Sequence, residues 1–259
     1  MSTIIYPSPI FGPIHSRRLG ISLGVNLQPG DGKACTFDCI YCECGLNADF
    51  IPKQKRPSRT AVAEALEERL RTMQQEGVTP DVLTFAGNGE PTAHPDFLGI
   101  IEDTVRIRDK YFPNAKVSVL SNATMIGRES VRKALMLVDN NILKLDTVNQ
   151  EYIRLIDRPV QPSYDVNAVI ENMKLFNGHC IVQTMFMGGT LHGESVDNTS
   201  DAFVSPWLEA VKAIAPSQVM IYTIDRETPV STLQKASPDT LNAIRDRVIA
   251  AGIPCSASY

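Results

Sequence analysis

The sequence predicts a single α/β domain built around a parallel β-sheet. Six apolar segments with strand patterns alternate with six segments whose apolar residues recur at helical spacing, and this order is typical of parallel sheets with right-handed crossovers. The 259 residues fit one such domain, because barrel-type α/β folds routinely use about 250 residues. No repeat or flexible linker divides the chain, so we expect an N-terminal extension at 1–18 and one α/β unit at 19–252.

Turn residues bound each predicted strand. The first strand alternates in polarity and ends where Pro29-Gly30-Asp31-Gly32 interrupts it, and the second is a short apolar run that enters a glycine-rich turn. The strands are predicted at 19–27, 82–86, 116–121, 141–146, 180–187 and 218–224.

The predicted helices show one apolar stripe each. Phe97, Ile101 and Val105 form such a stripe in the second helix, and Ser237-Pro238 supplies an N-cap and a first-turn proline for the last helix, which ends at Gly252. The other helices are predicted at 60–75, 130–138, 165–176 and 207–214. Long connections remain at 45–59, 147–164 and 188–205, and connections of that length are often functional.

Composition excludes several classes of protein. A net charge of −4 provides no overall basic field for non-specific binding of nucleic acid, and 43% hydrophobic residues indicate a folded chain. The first residues form no signal peptide, and no apolar run reaches the roughly 18 residues that span a bilayer, so we expect a cytoplasmic protein without membrane contact. Six cysteines are too few for a disulfide scaffold in a chain of this length.

Three cysteines stand close together at C-x3-C-x2-C spacing, at Cys35, Cys39 and Cys42. Soft thiolates select zinc, copper(I) or iron-sulfur centres over hard cations. A structural zinc site is normally closed by four protein ligands, whereas an iron-sulfur cubane on three thiolates leaves one iron open for chemistry. Cys44 could supply a fourth zinc ligand, although its one-residue gap from Cys42 strains a tetrahedral site. Cys180 and Cys255 are expected to be structural thiols.

The spacing, with aromatic Tyr41 just before the third cysteine, resembles the signature of the radical S-adenosylmethionine (radical SAM) enzymes. The resemblance implies a partial (βα)6 barrel with outer helices, and a [4Fe-4S] cluster on Cys35, Cys39 and Cys42 whose fourth iron binds S-adenosylmethionine. It also implies cleavage of this cofactor to methionine and a 5′-deoxyadenosyl radical that abstracts a substrate hydrogen. An electron donor such as flavodoxin or ferredoxin would reduce the cluster.

The turn after the second predicted strand reads Gly87-Asn88-Gly89-Glu90-Pro91. Two glycines let the backbone approach a ligand closely, and a carboxylate can meet an ammonium group. The turn resembles the Gly-Gly-Glu motif of radical SAM enzymes, which binds the amino group of the cofactor's methionine part. Asn88 stands where many members have glycine.

Polar residues also end later strands. Lys144 and Asp146 share one face of the fourth strand and could simply pair with each other. The resemblance instead assigns such positions to the ribose and carboxylate of the cofactor. The further candidates of this kind are Ser121, Asn122, Gln183 and Tyr222.

Two basic clusters could bind an anionic substrate, although solvated charge runs need no partner. One is His15-Ser16-Arg17-Arg18, and the other is a basic loop of Lys53, Lys55, Arg56 and Arg59. The wider pattern at 14–45, G-N-G-E-P-T-A-H-P and I-Y-T-I-D-R resembles a radical SAM group related to the wyosine-base synthases of tRNA modification. Those synthases carry second-cluster cysteines ahead of the main motif, and no cysteine precedes Cys35 here.

Three functions therefore remain open. The first is a radical SAM enzyme that acts on an RNA base, a small metabolite or a partner protein. The second is a zinc-stabilised module that uses Cys44 as fourth ligand and docks RNA or protein through Arg17, Arg18 and the basic loop. The third is an activase that installs a glycyl radical on a partner enzyme.

Overall fold

A computed structural model of the chain describes residues 3–16 and 20–259. In this part of the chain there are eleven strands and seven α-helices. The strands are Ile10–Ser16 (β1), Gly20–Val25 (β2), Val82–Phe85 (β3), Lys116–Ser121 (β4), Asn140–Lys144 (β5), Ile181–Met185 (β6), Met187–Leu191 (β7), Glu194–Ser195 (β8), Gln218–Tyr222 (β9), Leu233–Lys235 (β10) and Cys255–Ser258 (β11).

The helices pack around the main sheet and begin at recognisable caps. Ser58 caps the first helix with its side chain, and Ser237 caps the last one in the same way, as its sequence predicted. A short 3-10 turn covers Pro91–Ala93. The helices are Arg59–Glu76 (α1), Phe97–Tyr111 (α2), Glu129–Leu135 (α3), Gln150–Ile156 (α4), Val166–Lys174 (α5), Asp201–Ile214 (α6) and Pro238–Ala250 (α7).

The main sheet has eight strands in the order β1-β2-β3-β4-β5-β6-β9-β11. Within the described part of this sheet, β1 pairs antiparallel with β2, and the other neighbours pair in parallel. Every residue of β3 is buried, as expected for a parallel strand covered on both faces. The sheet thus confirms the predicted α/β class, and its parallel strands bring their carboxyl ends to one edge.

The structure corrects the predicted N-terminal extension. No strand was predicted in this extension at 1–18, which is rich in proline and turn residues, yet β1 lies there and pairs with β2, with an irregular register between Phe11 and Ile14. Prolines are tolerated in an edge strand at such irregularities, which explains the difference. The first predicted strand shortens to Gly20–Val25, and Leu19 lies outside the described residues.

Other boundaries also differ from prediction. Helix α4 occupies the connection predicted at 147–164, and the strand predicted at 180–187 divides at Phe186 into β6 and β7. Helix α6 begins six residues before the predicted start at Trp207, and β11 adds a strand beyond Gly252. The six predicted strands and six predicted helices are therefore too few. Short elements escape detection because periodicity needs several turns or alternations to show.

Two groups of buried apolar side chains stabilise the fold. The larger group joins the sheet to its outer helices and includes Leu66, Phe85 and Trp207. The smaller group includes Ile40, Tyr152 and Met185 and lies beneath the cysteine-containing loop. No helix in the described ranges is both long enough and apolar enough to cross a bilayer.

Candidate functional site

The carboxyl ends of β6, β9 and β11 border a cavity of about 390 Å³, which we call the mouth cavity. Cys39 and Cys42 line one side of it, and Tyr222 and Arg226 line another. His15 of the first basic cluster also reaches this cavity, whereas Arg17 and Arg18 of that cluster lie outside the described residues. The predicted cysteine motif therefore stands at the same edge of the sheet as the candidates on later strands.

The turn after β3 holds one side of the cysteine loop, which spans 35–42. The amide of Ala34 donates to the carbonyl of Asn88 at 2.9 Å, and Ala34 and Gly89 form a parallel bridge. Gly89 has φ of +146°, and a Cβ there would lie 2.1 Å from the carbonyl oxygen of Ala34. Only glycine fits this position, so the two predicted motifs contact each other through their backbones.

Helix α4 holds the other side of the cysteine loop. The amides of Asp38 and Ile40 each donate to carbonyls at the end of this helix, at 2.9 Å to Asp157 and 2.9 Å to Ile156. Val160 donates in the opposite direction to Thr36, also at 2.9 Å. The loop that carries the three thiols is therefore fixed by backbone hydrogen bonds on two sides.

The three thiols have different environments. Burial raises the pKa of Cys35 to about 12 and that of Cys39 well above its usual value. The pKa of Cys42 falls to about 6, because Cys44 donates a hydrogen bond to its sulfur and Lys33 lies nearby. All three are free thiols, and the described ranges contain no group of three or more His, Cys, Asp or Glu side chains that could hold a metal ion as it stands.

Lys33 places a buried positive charge behind the thiols. Its ammonium donates to the carbonyl of Gly45 at 2.6 Å and lies 3.4 Å from Asp38, while its side chain is 1% exposed. Burial alone would lower the pKa of Lys33, but attraction to the three neighbouring thiols and Asp38 raises it overall. A charged lysine in this position would favour an anionic centre on the cysteines.

Asn88 and Glu90 of the glycine-rich turn have fully engaged side chains. The Asn88 amide exchanges two 2.8 Å hydrogen bonds with the backbone of Tyr6, so this side chain holds the N-terminal segment. The Glu90 carboxylate accepts from Ser121 Oγ at 2.8 Å and from the Asn122 amide at 2.6 Å. Burial raises the pKa of Glu90, and these hydrogen bonds oppose the rise.

Ser121 and Asn122 at the end of β4 thereby come next to the cysteine loop. The side-chain amide of Asn122 donates to Thr36 at 2.8 Å and lies 3.6 Å from the sulfur of Cys35. Three predicted site residues, Glu90, Ser121 and Asn122, are thus in direct contact with one another.

Lys144 and Asp146 pair with each other, as their alternative interpretation predicted. The Lys144 ammonium lies 2.5 Å from Asp146 and 3.5 Å from Asp157, and it contacts the hydroxyl of Tyr41. Asp157 also accepts from Tyr41 at 2.8 Å and from the sulfur of Cys39 at 3.3 Å. Burial raises the pKa of Asp157 to about 6, with Lys144 opposing the rise. Through Asp157, this buried cluster joins three predicted site residues, Tyr41, Lys144 and Asp146, to Cys39, which is predicted to bind the metal centre.

Two predicted candidates on later strands lie in different cavities. Tyr222 lines the mouth cavity, while Gln183 lines a second cavity inside the sheet. Gly87 also borders the second cavity, with φ of +130° and no room for a Cβ beside Asn26. Gln183 therefore lines a different cavity from Tyr222, although it pairs in register with Lys144.

Two of the four basic side chains in the basic loop already bond to other residues of the chain. Arg59 lies 2.6 Å from Asp103 of α2, and Arg56 donates to Gln28 at 2.8 Å. Solvated charge runs were expected to need no partner, yet Arg59 has an acidic partner from a distant part of the sequence. Lys53 and Lys55 are exposed.

Several residues at the site were missed by sequence reasoning. Asp157 follows a helix that was not predicted, and the sequence does not distinguish Lys33 from other lysines, because only the fold buries it. Asn149 could have revealed α4, because an asparagine followed by glutamine and glutamate is a helix-start signal. Tyr6 and Asn26 carry no sequence signal of their role.

Comparison with known proteins agrees with this geometry. The model of the radical SAM superfamily matches residues 31–203, which is more than half of the chain. A UPF0026 protein of Methanocaldococcus jannaschii is 30% identical over 82% of this chain and 62% of its own length.

Solved structures support the fold. A radical SAM methyltransferase from Sphaerobacter thermophilus has a TM-score of 0.67 at 16% identity, over 92% of this chain and 66% of that one. Streptococcus suis SuiB bound to S-adenosylmethionine has a TM-score of 0.65 at 14% identity, over 91% of this chain and 50% of that one. The chain spans less than two thirds of the length of each of these three proteins. By the family match, this chain belongs to the radical SAM superfamily of enzymes.

Proposed function

We propose that this chain uses Cys35, Cys39 and Cys42 to hold a [4Fe-4S] cluster and cleaves S-adenosylmethionine to start a radical reaction. The family implies an iron-sulfur cluster and this cofactor. The donor set fits such a centre, because three soft thiolates on one loop suit iron-sulfur and the buried Lys33 offsets the cluster's negative charge.

One observation supports the proposal above the others. The cysteine loop and the glycine-rich turn lie on either side of the Ala34–Gly89 bridge, next to a cavity that Cys39 and Cys42 line. The proposed cluster ligands therefore lie at the same edge of the sheet as the glycine-rich turn, whose backbone could approach the amino group of S-adenosylmethionine. Active sites of barrel-type enzymes lie at this edge.

Bound at this site on Cys35, Cys39 and Cys42, a reduced cluster with S-adenosylmethionine would supply the electron transfer that cleaves the cofactor and the radical chemistry that takes a hydrogen atom from the substrate. The chain's own residues position the cysteine loop and shape the cavity beside it. Asn122 contacts the Cys35 sulfur, Glu90 fixes Asn122, and Tyr41 donates to Asp157, which also accepts from Cys39. Tyr222 and Arg226 shape the far wall of the mouth cavity.

The proposal is tested by product formation. After anaerobic reconstitution with iron and sulfide, the protein should convert S-adenosylmethionine to 5′-deoxyadenosine when dithionite is added. The matched control is the same protein kept free of iron and sulfide. Equal product in the two samples would reject the proposal.

A zinc-binding module is the second candidate, because Cys44 lies within hydrogen-bond distance of Cys42 and could join it at one metal ion. Metal analysis of the purified protein separates the two functions. The cluster predicts iron and acid-labile sulfide in equal amounts, whereas about one zinc per chain without sulfide indicates the module.

A further inference from the structure

The second cavity lies inside the sheet, has a volume of about 220 Å³, and is called the inner cavity below. Its walls come from alternate residues of neighbouring strands, which point to the same face. Ser22 of β2, Thr84 of β3, Leu120 of β4 and Ile142 of β5 lie on this face, and Met220 of β9 also lines the cavity. The cavity is therefore a feature of the strand register.

The inner cavity is lined by uncharged side chains wherever the structure describes its walls. The hydroxyls of Ser22 and Thr84 bond to each other at 2.8 Å, so they offer little to a ligand. Gln183 differs, because it lines the cavity and its side-chain amide makes no hydrogen bond to any described residue. A charged ligand group would be costly to bury here, whereas a neutral group could bond to one amide.

The N-terminal segment supplies an aromatic wall. The rings of Tyr6 and Phe11 lie 4.5 Å apart at 35° to each other, and both border the cavity. Phe11 occupies the space above Gly24, where a Cβ would lie 2.2 Å from its ring. Aromatic rings of this kind favour a planar group in stacked or edge-to-face contact.

Two buried amides fix this wall. Asn88 bonds to both the amide and the carbonyl of Tyr6 at 2.8 Å, and Asn26 donates to the same carbonyl at 3.2 Å. Both asparagines are fully buried. The wall is therefore held in place before any ligand binds, so binding loses less conformational entropy from this segment.

The inner cavity also adjoins the candidate active site. Ile14 lines both this cavity and the mouth cavity, and Gly87 of the glycine-rich turn lies at its border. An apolar cavity of about 150 Å³ holds a benzene ring, so a volume near 220 Å³ has room for a small bicyclic ring.

We propose that the inner cavity binds the substrate by a flat, uncharged ring, with Tyr6 and Phe11 as its aromatic wall and Gln183 as its hydrogen-bonding anchor. The assignment of this ring to the substrate depends on the proposed function, whereas its binding does not. Phosphate, carboxylate or ammonium groups of the same substrate would remain outside the inner cavity.

Indole is a suitable probe, because it is flat, neutral and bicyclic and has one N–H donor. The full chain with methyl-labelled isoleucine and methionine should show indole-dependent NMR shifts at Ile14, Ile142 and Met220. Met136 is the control, because it is exposed at the end of α3. Shifts at Met136 without shifts at Ile142 and Met220 would overturn the proposal.

Gln183→Leu tests the anchor with little change of volume. The variant should bind indole about fivefold more weakly than wild type does, which is the loss expected for one hydrogen bond. It should bind indene, which lacks the N–H group, as tightly as wild type does. Indole-3-carboxylate should bind wild type at least tenfold more weakly than indole. Unchanged indole affinity in the variant, or equal binding of the carboxylate, would contradict the proposal.

These measurements need neither cluster nor cofactor, so the two proposals fail separately. Indole binding without any 5′-deoxyadenosine formation would reject the radical function and leave the ring site in place. Cofactor cleavage without NMR shifts in the inner cavity would reject the ring site alone.

Discussion

At the scale of single residues, Cys44 distinguishes an open three-thiolate cluster from a closed four-thiolate site. It is buried beside Cys42, with its sulfur 3.4 Å from the carbonyl of Gly87. Sequence spacing alone could not place this thiol, because its neighbour in space comes from the turn after β3. The same limit applies to Lys33 and Asp157, whose roles depend on contacts with distant segments.

Serine substitutions test which thiols are ligands. Replacing Cys35, Cys39 or Cys42 should each abolish the cluster, because serine keeps the size of the side chain but loses the soft ligand. Cys44→Ser should keep iron and sulfide near the wild-type content. Iron and sulfide analysis after reconstitution measures both, and loss of iron in Cys44→Ser as complete as in Cys42→Ser would contradict the open cluster.

Asp157 should influence the cluster electrostatically. Its carboxylate lies 3.3 Å from the Cys39 sulfur, so Asp157→Asn removes a negative charge there and should make reduction easier. We expect about a tenfold change in the reduction equilibrium, which is about 59 mV for one electron. The midpoint potential is measured by EPR-monitored redox titration without S-adenosylmethionine.

Asp146→Asn is the matched control for this effect. Asp146 bonds to the same Lys144 and Tyr41 but makes no direct contact with a thiol of the described chain. Its substitution should shift the potential less. Equal shifts in both variants would show that the loss of a partner for Lys144, and not contact with Cys39, causes the change.

At the scale of elements, the long parallel strands were easier to predict than the short ones. The bounds of β4 agree with the predicted strand at 116–121, because its apolar run is enclosed by turn residues on both sides. Prolines hid β1, and the helix-start signal of α4 at Asn149 was not used. Both missed elements matter to the site, since β1 borders the inner cavity and α4 holds the cysteine loop.

Helix α4 should control the order of the cysteine loop. Asn149 caps it by accepting from Tyr152 at 3.0 Å, and Asn149→Ala should lower the free energy of unfolding by about 1 kcal/mol. It should also speed hydrogen exchange at the amides of Asp38 and Ile40, which bond to the end of α4.

Ser58→Ala offers a matched control, because Ser58 caps α1 in the same way and lies outside these contacts. The two variants should lose similar free energy in urea unfolding. Equal exchange at Asp38 and Ile40 in both would show that α4 does not order the loop.

At the scale of the whole molecule, alternation of strands and helices was enough to predict the class of fold. The order of the strands follows the chain from β1 to β6, so consecutive strands lie side by side, and it departs from the chain where β7, β8 and β10 leave to form the small sheet. That sheet is held by the pairing of β7 with β10, a long-range contact that local patterns do not reveal.

The central claim is that three protein thiolates leave one iron open for S-adenosylmethionine. The most direct measurement is the EPR spectrum of the dithionite-reduced, reconstituted protein before and after S-adenosylmethionine is added. Binding at the open iron predicts a changed spectrum in wild type and in Cys44→Ser alike. An identical spectrum with and without S-adenosylmethionine would contradict the claim.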